Sequence, residues 1–184
     1  VTIPPSIDAF SPKNQPMPAA ASGAILEAAG IAVNGGRRGA RFTRLDGTPG
    51  RVDRSAQVWE DERLSLDTPV VVHVSRWDWL KDPIGTIDAF VGYVAPRTEA
   101  HLVLAGPDVT SVADDPEGLQ VLEDCVRRWS NLAPEVRSRI HLAALPMDDP
   151  GENAAIVNAL QRRATVVVQK SLAEGFGLTV AEAM

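Results

Sequence analysis

The stretch ATVVVQKSLAEGFGLTVAEAM (residues 164–184) decides the predicted fold, because it combines three local signals. The apolar run ATVVVQKS, rich in β-branched residues, predicts a strand. A turn with two glycines follows, and GLTVAEAM then begins a helix. A strand that leads through a glycine turn into a helix is the repeating unit of a parallel α/β sheet.

Three further units of this kind precede it, from residue 68 onward. The predicted strands are PVVVHVSR, AHLVLAGP and RIHLAALP, and the predicted helices are DPIGTIDAFVGYVAP, PEGLQVLEDCVRRWSNL and ENAAIVNALQRR. In the last of these helices we expect an apolar core stripe of Ile156, Val157 and Leu160, and polar-face or capping positions for Asn153 and Asn158. Strands that alternate with helices of this length favour crossovers onto a mostly parallel sheet. The sequence therefore predicts an α/β fold, with a Rossmann-like parallel sheet and flanking helices.

Residues 1–67 carry weaker signals, and we expect a linker and a poorly defined N-terminal segment there, with an incomplete Rossmann-like domain over 68–184. AASGAILEAAGI predicts a helix that ends at Gly30, and ARFTRL and AQVWE predict short strands. The arginines of this region form a basic patch, which fits either a solvated loop or contact with a partner or nucleic acid. They are Arg37, Arg38, Arg41, Arg44, Arg51 and Arg54.

Composition narrows the function classes. The formal net charge of −6 argues against general nucleic-acid or membrane-surface binding. Membrane spanning needs about 18 consecutive apolar residues, and no run approaches that length. The single cysteine, Cys125, excludes an internal disulfide framework and favours a cytoplasmic location. Because the chain lacks an initiator methionine and stops where its last helix starts, we expect a fragment.

Parallel sheets bind ligands beyond the carboxyl ends of their strands. Arg76 and Lys81 follow the first of the four strands, where two cations can grip a diphosphate. The chain has fifteen arginines but three lysines, and Lys81 and Lys170 both follow strands. No G-x-G-x-x-G follows a strand, so a dinucleotide site is not expected.

The turn EGFGLT after the last strand can hold both an anion and a polyol. Gly175 and Gly177 permit close approach of a ligand to the backbone, and the start of a helix favours a phosphate. Glu174 and Glu182 can accept hydrogen bonds from sugar or ribose hydroxyls. The histidines lie within predicted strands and lack metal-ligand spacing, so we expect core or rim positions and no metal site. They are His73, His101 and His141.

These motifs resemble a known family. SRWDWLKDPIG, LVLAGP, LPMDD and ENAAIVNALQRRATVVVQKSLAEGFGLTVAEAM are similar to the C-terminal half of retaining glycosyltransferases of family four, and within it to the trehalose synthase (glycosyltransferring) and trehalose phosphorylase group. The similarity covers residues 68–184, and IPPSIDAFSPKN also resembles the segment that leads into this half. Residues 20–67 match poorly.

The resemblance implies a GT-B architecture of two Rossmann-like domains, of which this chain would supply the nucleotide-sugar-binding half, truncated at its C-terminal end. It implies transfer of glucose from NDP-glucose to glucose with retention, without metal or cofactor, and an inactive fragment, since the domain that holds the acceptor is missing. Arg76 and Lys81 would grip the phosphates and Glu174 the donor glucose. Glu182 would bind the ribose and the loop at Leu145 and Pro146 the base. Backbone N–H groups would hold sugar and phosphate; they belong to Gly175, Phe176, Gly177, Leu178 and Thr179.

The sequence leaves two alternative functions open. In a retaining trehalose phosphorylase, free phosphate would replace the nucleotide, and the same Arg76 and Lys81 would bind it. A non-catalytic fragment could instead act as an interaction module, because an unfinished sheet edge favours pairing with another chain, including a homodimer.

Overall fold

The computed structural model describes residues 7–33, 39–109, 116–175 and 177–184. The N-terminal elements are α1 (Ala19–Ala28), β1 (Ala32–Val33), β2 (Arg41–Thr43), β3 (Pro49–Arg51), β4 (Gln57–Trp59) and β5 (Leu64–Ser65). The following elements are β6 (Val70–Val74), α2 (Pro83–Ala89), β7 (His101–Pro107), α3 (Pro116–Ser130), α4 (Pro134–Arg137), β8 (Ile140–Leu145), α5 (Pro150–Arg163), β9 (Val166–Val167) and α6 (Leu178–Ala183).

The main sheet, within these described ranges, has the strand order β4-β8-β7-β6-β9. β8, β7, β6 and β9 run parallel, whereas β4 joins the edge antiparallel to β8. The register pairs Val74 with Ala105, and Ala105 with Ala143, so three strands end side by side. The structure therefore confirms the predicted α/β fold with its parallel sheet, and adds an antiparallel edge strand.

Helices cover both faces of the sheet because side chains alternate along buried strands. On one face, β6 residues such as Val72 pack against α1 and α5, including Leu26 and Ile156. On the other face, Leu102 and Leu104 of β7 pack with residues of α2 and α3. The predicted core stripe on α5 is confirmed, since its three residues are buried; they are Ile156, Val157 and Leu160.

Helix α5 begins where Asp149 caps it. The Asp149 carboxylate accepts hydrogen bonds from the backbone N–H groups of Gly151 (2.9 Å) and Glu152 (3.1 Å), and Pro150 occupies the first turn. A capping carboxylate and an early proline are the signals that start a helix. The N-terminal end of α5 therefore lies close to the carboxyl end of β8.

The arginines of the predicted basic patch differ in the contacts that their side chains make. Arg44 forms a bidentate pair with Asp149 (3.0 and 2.7 Å), and Arg54 pairs with the buried Glu152 at 2.5 Å. Arg37 and Arg38 lie outside the described residues. Arg44 and Arg54 therefore fasten their region to the start of α5, and are not part of an unattached solvated loop.

The helix and the two short strands predicted before residue 68 are also confirmed. Helix α1 stops before Gly30, whose φ of +73° suits glycine, and β2 and β4 occupy the two predicted strand positions. Ile25 of α1 shares one apolar core with β6 and α5. The boundary at residue 68 stays a prediction.

Residues 7–18, which we call the N-terminal segment, are irregular but attached to α5. Asn158 is 2% exposed, and its Nδ2 donates to the carbonyls of Pro12 (2.8 Å) and Gln15 (2.9 Å). Arg162 donates to the Gln15 carbonyl at 3.0 Å. A buried amide of this kind fixes the segment, since separation would leave its N–H groups unpaired. We had expected Asn158 to be a capping or polar-face residue, and its burial corrects that expectation.

Candidate functional site

A cavity of about 320 Å³ lies at the carboxyl ends of β6, β7 and β8, and we call it the strand-end cavity. The start of α5 and residue Thr179 of α6 also line it, together with Lys13 of the N-terminal segment. The lining residues are Lys13, Val74, Ser75, Arg76, Gly106, Pro107, Leu145, Met147, Asn153, Ala154, Val157 and Thr179. This is the position at which open parallel sheets bind their ligands.

The charged lining residues, among those the structure describes, are two cations, Lys13 and Arg76. The Arg76 side chain is 74% exposed, and its guanidinium lies 3.1 Å from the Asp78 carboxylate. An exposed guanidinium keeps donors free for a further acceptor, since it carries five N–H groups. The strand-end cavity therefore suits an anion, despite the negative net charge of the chain.

Trp77 fixes the loop that carries Arg76. Its ring is 3% exposed, and its Nε1 donates to the carbonyl of Pro107 at 2.8 Å. Gly106 leaves room for the ring, because a Cβ there would lie 2.6 Å from Trp77 Cε2. The glycine of the LVLAGP motif therefore serves close packing beside the strand-end cavity.

Lys81 and Glu174 meet beside the last strand. The Lys81 Nζ lies 2.5 Å from Glu174 Oε1, and Ser171 donates to the same oxygen at 2.5 Å. The Leu172 N–H donates to the Leu80 carbonyl (2.8 Å), which ties the loop after β9 to the turn at Trp79–Lys81. The ammonium of Lys81, followed by the donors of Ser171 and Gln169, lowers the pKa of Glu174 to about 2. Glu174 is therefore an ionised hydrogen-bond acceptor at neutral pH.

Lys170 makes a second link between the ends of β9 and β6 by contacting the Asp82 carboxylate. Asp82 caps α2 through the Gly85 N–H (3.0 Å) and has a φ of +49°, the one positive value among the described non-glycine residues. A non-glycine residue in this region is strained unless its surroundings hold it. The capping bond and the Lys170 contact supply that restraint.

Glu182 of α6 pairs with Lys13 of the N-terminal segment. Their side chains are 14% and 32% exposed, respectively. The Gln161 side chain also donates to the Thr179 carbonyl (3.3 Å), which holds α6 against α5. All three lysines of the chain therefore lie at the carboxyl edge of the sheet, each paired with a carboxylate from a distant part of the sequence.

The structure brings several of the predicted site residues together. Arg76, Leu145 and Thr179 line the strand-end cavity. Lys81 and Glu174 are not among its lining residues, but they contact each other at the same carboxyl edge of the sheet. Pro146 accepts a hydrogen bond from Asn153, a cavity residue, at 3.0 Å. The remaining predicted residues lie on the turn and helix after β9: Gly175, Gly177, Leu178 and Glu182. Phe176 lies outside the described residues, and the ligand roles of all these residues stay predictions.

Sequence reasoning missed Lys13 and Asn153 as lining residues. Lys13 belongs to a proline-rich segment without periodicity and does not follow a predicted strand, which is where site residues were expected. The scarcity of lysine, which drew attention to Lys81 and Lys170, could have identified Lys13 as well. Asn153 was interpreted as a polar-face or capping residue.

The histidines occupy strands, as predicted. His73 in β6 is 1% exposed and its Nδ1 lies 3.0 Å from Thr86 Oγ1, while burial lowers its pKa to about 4. His101 is the first residue of β7 and His141 the second of β8, at the opposite end of the sheet. His101 Nδ1 lies 2.9 Å from His141 Nε2, and His141 Nδ1 lies 2.9 Å from Glu60 Oε2. This pair is therefore remote from the strand-end cavity.

The described residues contain no group of three or more His, Cys, Asp or Glu side chains placed to hold a metal ion. No helix among them combines the length and apolarity that crossing a bilayer requires.

The fold and the cavity thus define an α/β unit with cations at its strand ends, and comparisons with known proteins show which proteins it is related to. No family model matches the chain. The trehalose synthase of Rubrobacter xylanophilus is 36% identical over 121 residues, which are 66% of this chain and 26% of that protein. The trehalose synthases of Thermococcus litoralis and Pyrococcus furiosus are each 34% identical over 125 residues, or 67% of this chain and 28% of those proteins.

The chain is therefore homologous to trehalose synthases over about two thirds of its length, which confirms the resemblance that its motifs predicted. It spans roughly a quarter of the length of these relatives. Among solved structures, a sucrose-phosphate synthase from Thermosynechococcus elongatus aligns with a TM-score of 0.45 and 25% identity, over 65% of this chain and 26% of that one.

Proposed function

We propose that this chain is the donor-binding part of a retaining glucosyltransferase that forms trehalose from NDP-glucose and glucose. The observation that carries the proposal is the strand-end cavity, whose described charged lining consists of cations. The ionised Glu174 follows β9 and contacts Lys81, so it belongs to the same carboxyl edge of the sheet. A nucleotide sugar presents both a diphosphate and hydroxyl groups, and so matches both features. The identity with trehalose synthases supports the choice of sugar.

In the proposed complex, Arg76 binds the diphosphate as a forked donor. Glu174 accepts hydrogen bonds from glucose hydroxyls, and Lys81 holds that carboxylate in place while adding positive charge beside the leaving group. Thr179 and the glycines of the preceding turn approach the donor through their backbone. Leu145 and Pro146 face the base, where an apolar wall and carbonyl groups suit a planar ring.

The proposed reaction is a displacement on one face of the sugar, with retention of configuration. The bond between the anomeric carbon and the diphosphate oxygen breaks as the acceptor hydroxyl forms the new glycosidic bond. The acceptor proton passes to the departing phosphate oxygen, so the products are trehalose and the nucleoside diphosphate. Side-chain cations neutralise the leaving group in this scheme, and neither metal nor cofactor takes part.

Calorimetric titration with UDP-, ADP- and GDP-glucose tests the binding half of the proposal. Charged hydrogen bonds contribute about 1.5–3 kcal/mol each, so the contacts above support micromolar or weaker affinity. Arg76→Ala is expected to weaken binding about tenfold or more, while Arg97→Ala, an exposed arginine that donates to the Tyr93 carbonyl, leaves it unchanged. Absence of heat from folded protein, or equal affinity of wild type and Arg76→Ala, would contradict the proposal.

Catalytic turnover is a separate question from donor binding, and we do not expect it from this chain alone. Positioning of the acceptor supplies a large part of glycosyl-transfer catalysis, and we expect the acceptor contacts to come from a domain outside these 184 residues. The chain should therefore bind donor without forming trehalose. Formation of trehalose by the chain alone would refute this part, and tight binding of orthophosphate with no binding of nucleotide sugars would indicate a phosphorylase instead.

A further inference from the structure

Lys13 is a lysine of the carboxyl edge, and the predicted donor site assigns it no role. It belongs to the N-terminal segment, far in sequence from the four strand–helix units, yet it lines the strand-end cavity together with Arg76. It also pairs with Glu182 of α6. Lys13 therefore connects the segment that precedes α1 to the helix that follows β9.

The position of Lys13 does not depend on its ion pair alone. The carbonyls of Pro12 and Gln15, on either side of it, accept hydrogen bonds from the buried Asn158. The Gln15 N–H and Asn14 N–H donate to the Ser11 carbonyl (3.1 and 2.8 Å), which makes the segment a compact turn. The backbone of Lys13 is thus fixed above α5 before any ligand arrives.

The charge balance of the strand-end cavity leaves Lys13 available to an anion. Glu182 and Asp78, which pair with Lys13 and Arg76, lie outside the lining, and the described lining residues include no carboxylate. An ammonium group has three donors, and pairing with one carboxylate oxygen engages one of them. The Lys13 side chain is 32% exposed, so its remaining N–H groups can reach a ligand.

We propose that Lys13 is a further cation of the donor site, which contacts the diphosphate together with Arg76, and that Glu182 positions its ammonium group. This inference rests on the proposed function for the identity of the ligand as a nucleoside diphosphate. It gives Glu182 a positioning role toward Lys13 through one carboxylate oxygen, which leaves the other oxygen for the ribose contact that the family resemblance implies. The N-terminal segment thereby becomes part of the donor site.

Calorimetry with UDP and with inorganic pyrophosphate tests the inference on wild type, Lys13→Met and Lys13→Arg. Lys13→Met keeps the aliphatic stem and removes the charge, so both ligands should bind about tenfold or more weakly. Lys13→Arg keeps the charge and should restore most of the affinity. The slope of log affinity against log salt should also decrease in Lys13→Met, because one fewer cation meets the phosphates.

Arg127→Met serves as the matched control, since this arginine pairs with Asp124 on α3 (2.5 Å) away from the strand-end cavity. Thermal unfolding by circular dichroism establishes that each variant is folded, and Lys13→Gln replaces Lys13→Met if the latter is not. Unchanged or tighter binding by the neutral variant, with Arg76→Ala still weakened, would overturn this inference alone. No binding by the wild-type chain would overturn the proposed function and this inference with it.

Discussion

The buried imidazole of His73 should make the stability of the chain fall as the pH drops from 7 to 5. The Thr86 hydroxyl donates to the Asp82 carbonyl (3.0 Å), so His73 Nδ1–H donates to Thr86 Oγ1. His73 Nε2 is buried with no hydrogen-bond partner among the described residues. Protonation of Nε2 would place a charge and an unpaired donor in the core, which is why burial lowers the pKa of His73 from 6.5 to about 4.

Proton linkage gives the sign and the size of this pH effect on the free energy of unfolding. Between pH 6.5 and pH 4 the unfolded chain binds a proton at His73 that the folded chain does not, so acidification favours unfolding. The expected slope near pH 5.5 is about 1.2 kcal/mol per pH unit, and the loss from pH 7 to pH 5 is about 2 kcal/mol. His101, whose pKa is also lowered to about 4 by burial, adds a smaller loss in the same window because it is partly exposed. Glu174, with a pKa lowered to about 2, stabilises the fold above pH 4.5 and loses this effect between pH 4.5 and 2.

Urea denaturation at pH 7, 6 and 5 and constant ionic strength measures the effect, with His73→Val as the comparison. The variant removes the titrating group and keeps the β-branched character of its neighbours in β6. The substitution itself changes the free energy of unfolding at pH 7 by some amount. Between pH 7 and pH 5, the free energy of unfolding of the variant should rise by about 2 kcal/mol relative to that of the wild type. If the difference in unfolding free energy between the two proteins is the same at both pH values, the reasoning from burial is wrong.

Two further predictions concern the packing that supports the strand-end cavity. Gly106→Ala should destabilise the fold by about 1–3 kcal/mol, because its new methyl group would collide with Trp77. Gly92→Ala, where no atom lies within 4 Å of the added methyl, should be near neutral in the same denaturation assay, and equal losses would contradict the steric argument. Asn158→Ala should cost about 1–3 kcal/mol and release the N-terminal segment to limited proteolysis, since the Pro12 carbonyl loses the Asn158 donor and the Gln15 carbonyl keeps only the bond from Arg162. The exposed Asn131→Ala should change neither measurement, and a protected segment in Asn158→Ala would refute the anchoring role.

Local patterns in the sequence predicted the strand–helix units well. The β-branched run at Val70–Val74 and the apolar spacing of α5 are read from neighbouring residues, and burial on a sheet rewards those patterns directly. The predicted helix after β6 is present, but it continues beyond Ala89 as a π-helix over Phe90–Val94. Hydrophobic spacing does not distinguish these two hydrogen-bond patterns.

The candidate site was predictable in part. Strand ends of a parallel sheet share one edge, so the placement of Arg76, Lys81 and Glu174 near that edge follows from the order of elements alone. The partners of these side chains do not follow from it. Contact of Lys81 with Glu174, 93 positions away, depends on the loop after β9 turning back to the Leu80 carbonyl.

The sequence by itself therefore determined the fold class, the edge of the sheet at which the candidate site lies and the relationship to trehalose synthases, because these depend on local periodicity and motif spacing. Tertiary structure decided which surface completes the strand-end cavity. Lys13 reaches that cavity because the buried Asn158 fixes the N-terminal segment on α5, and β4 joins the sheet because its strand pairs with β8. Contacts between residues so distant along the chain arise from packing, and no spacing pattern in the sequence encodes them.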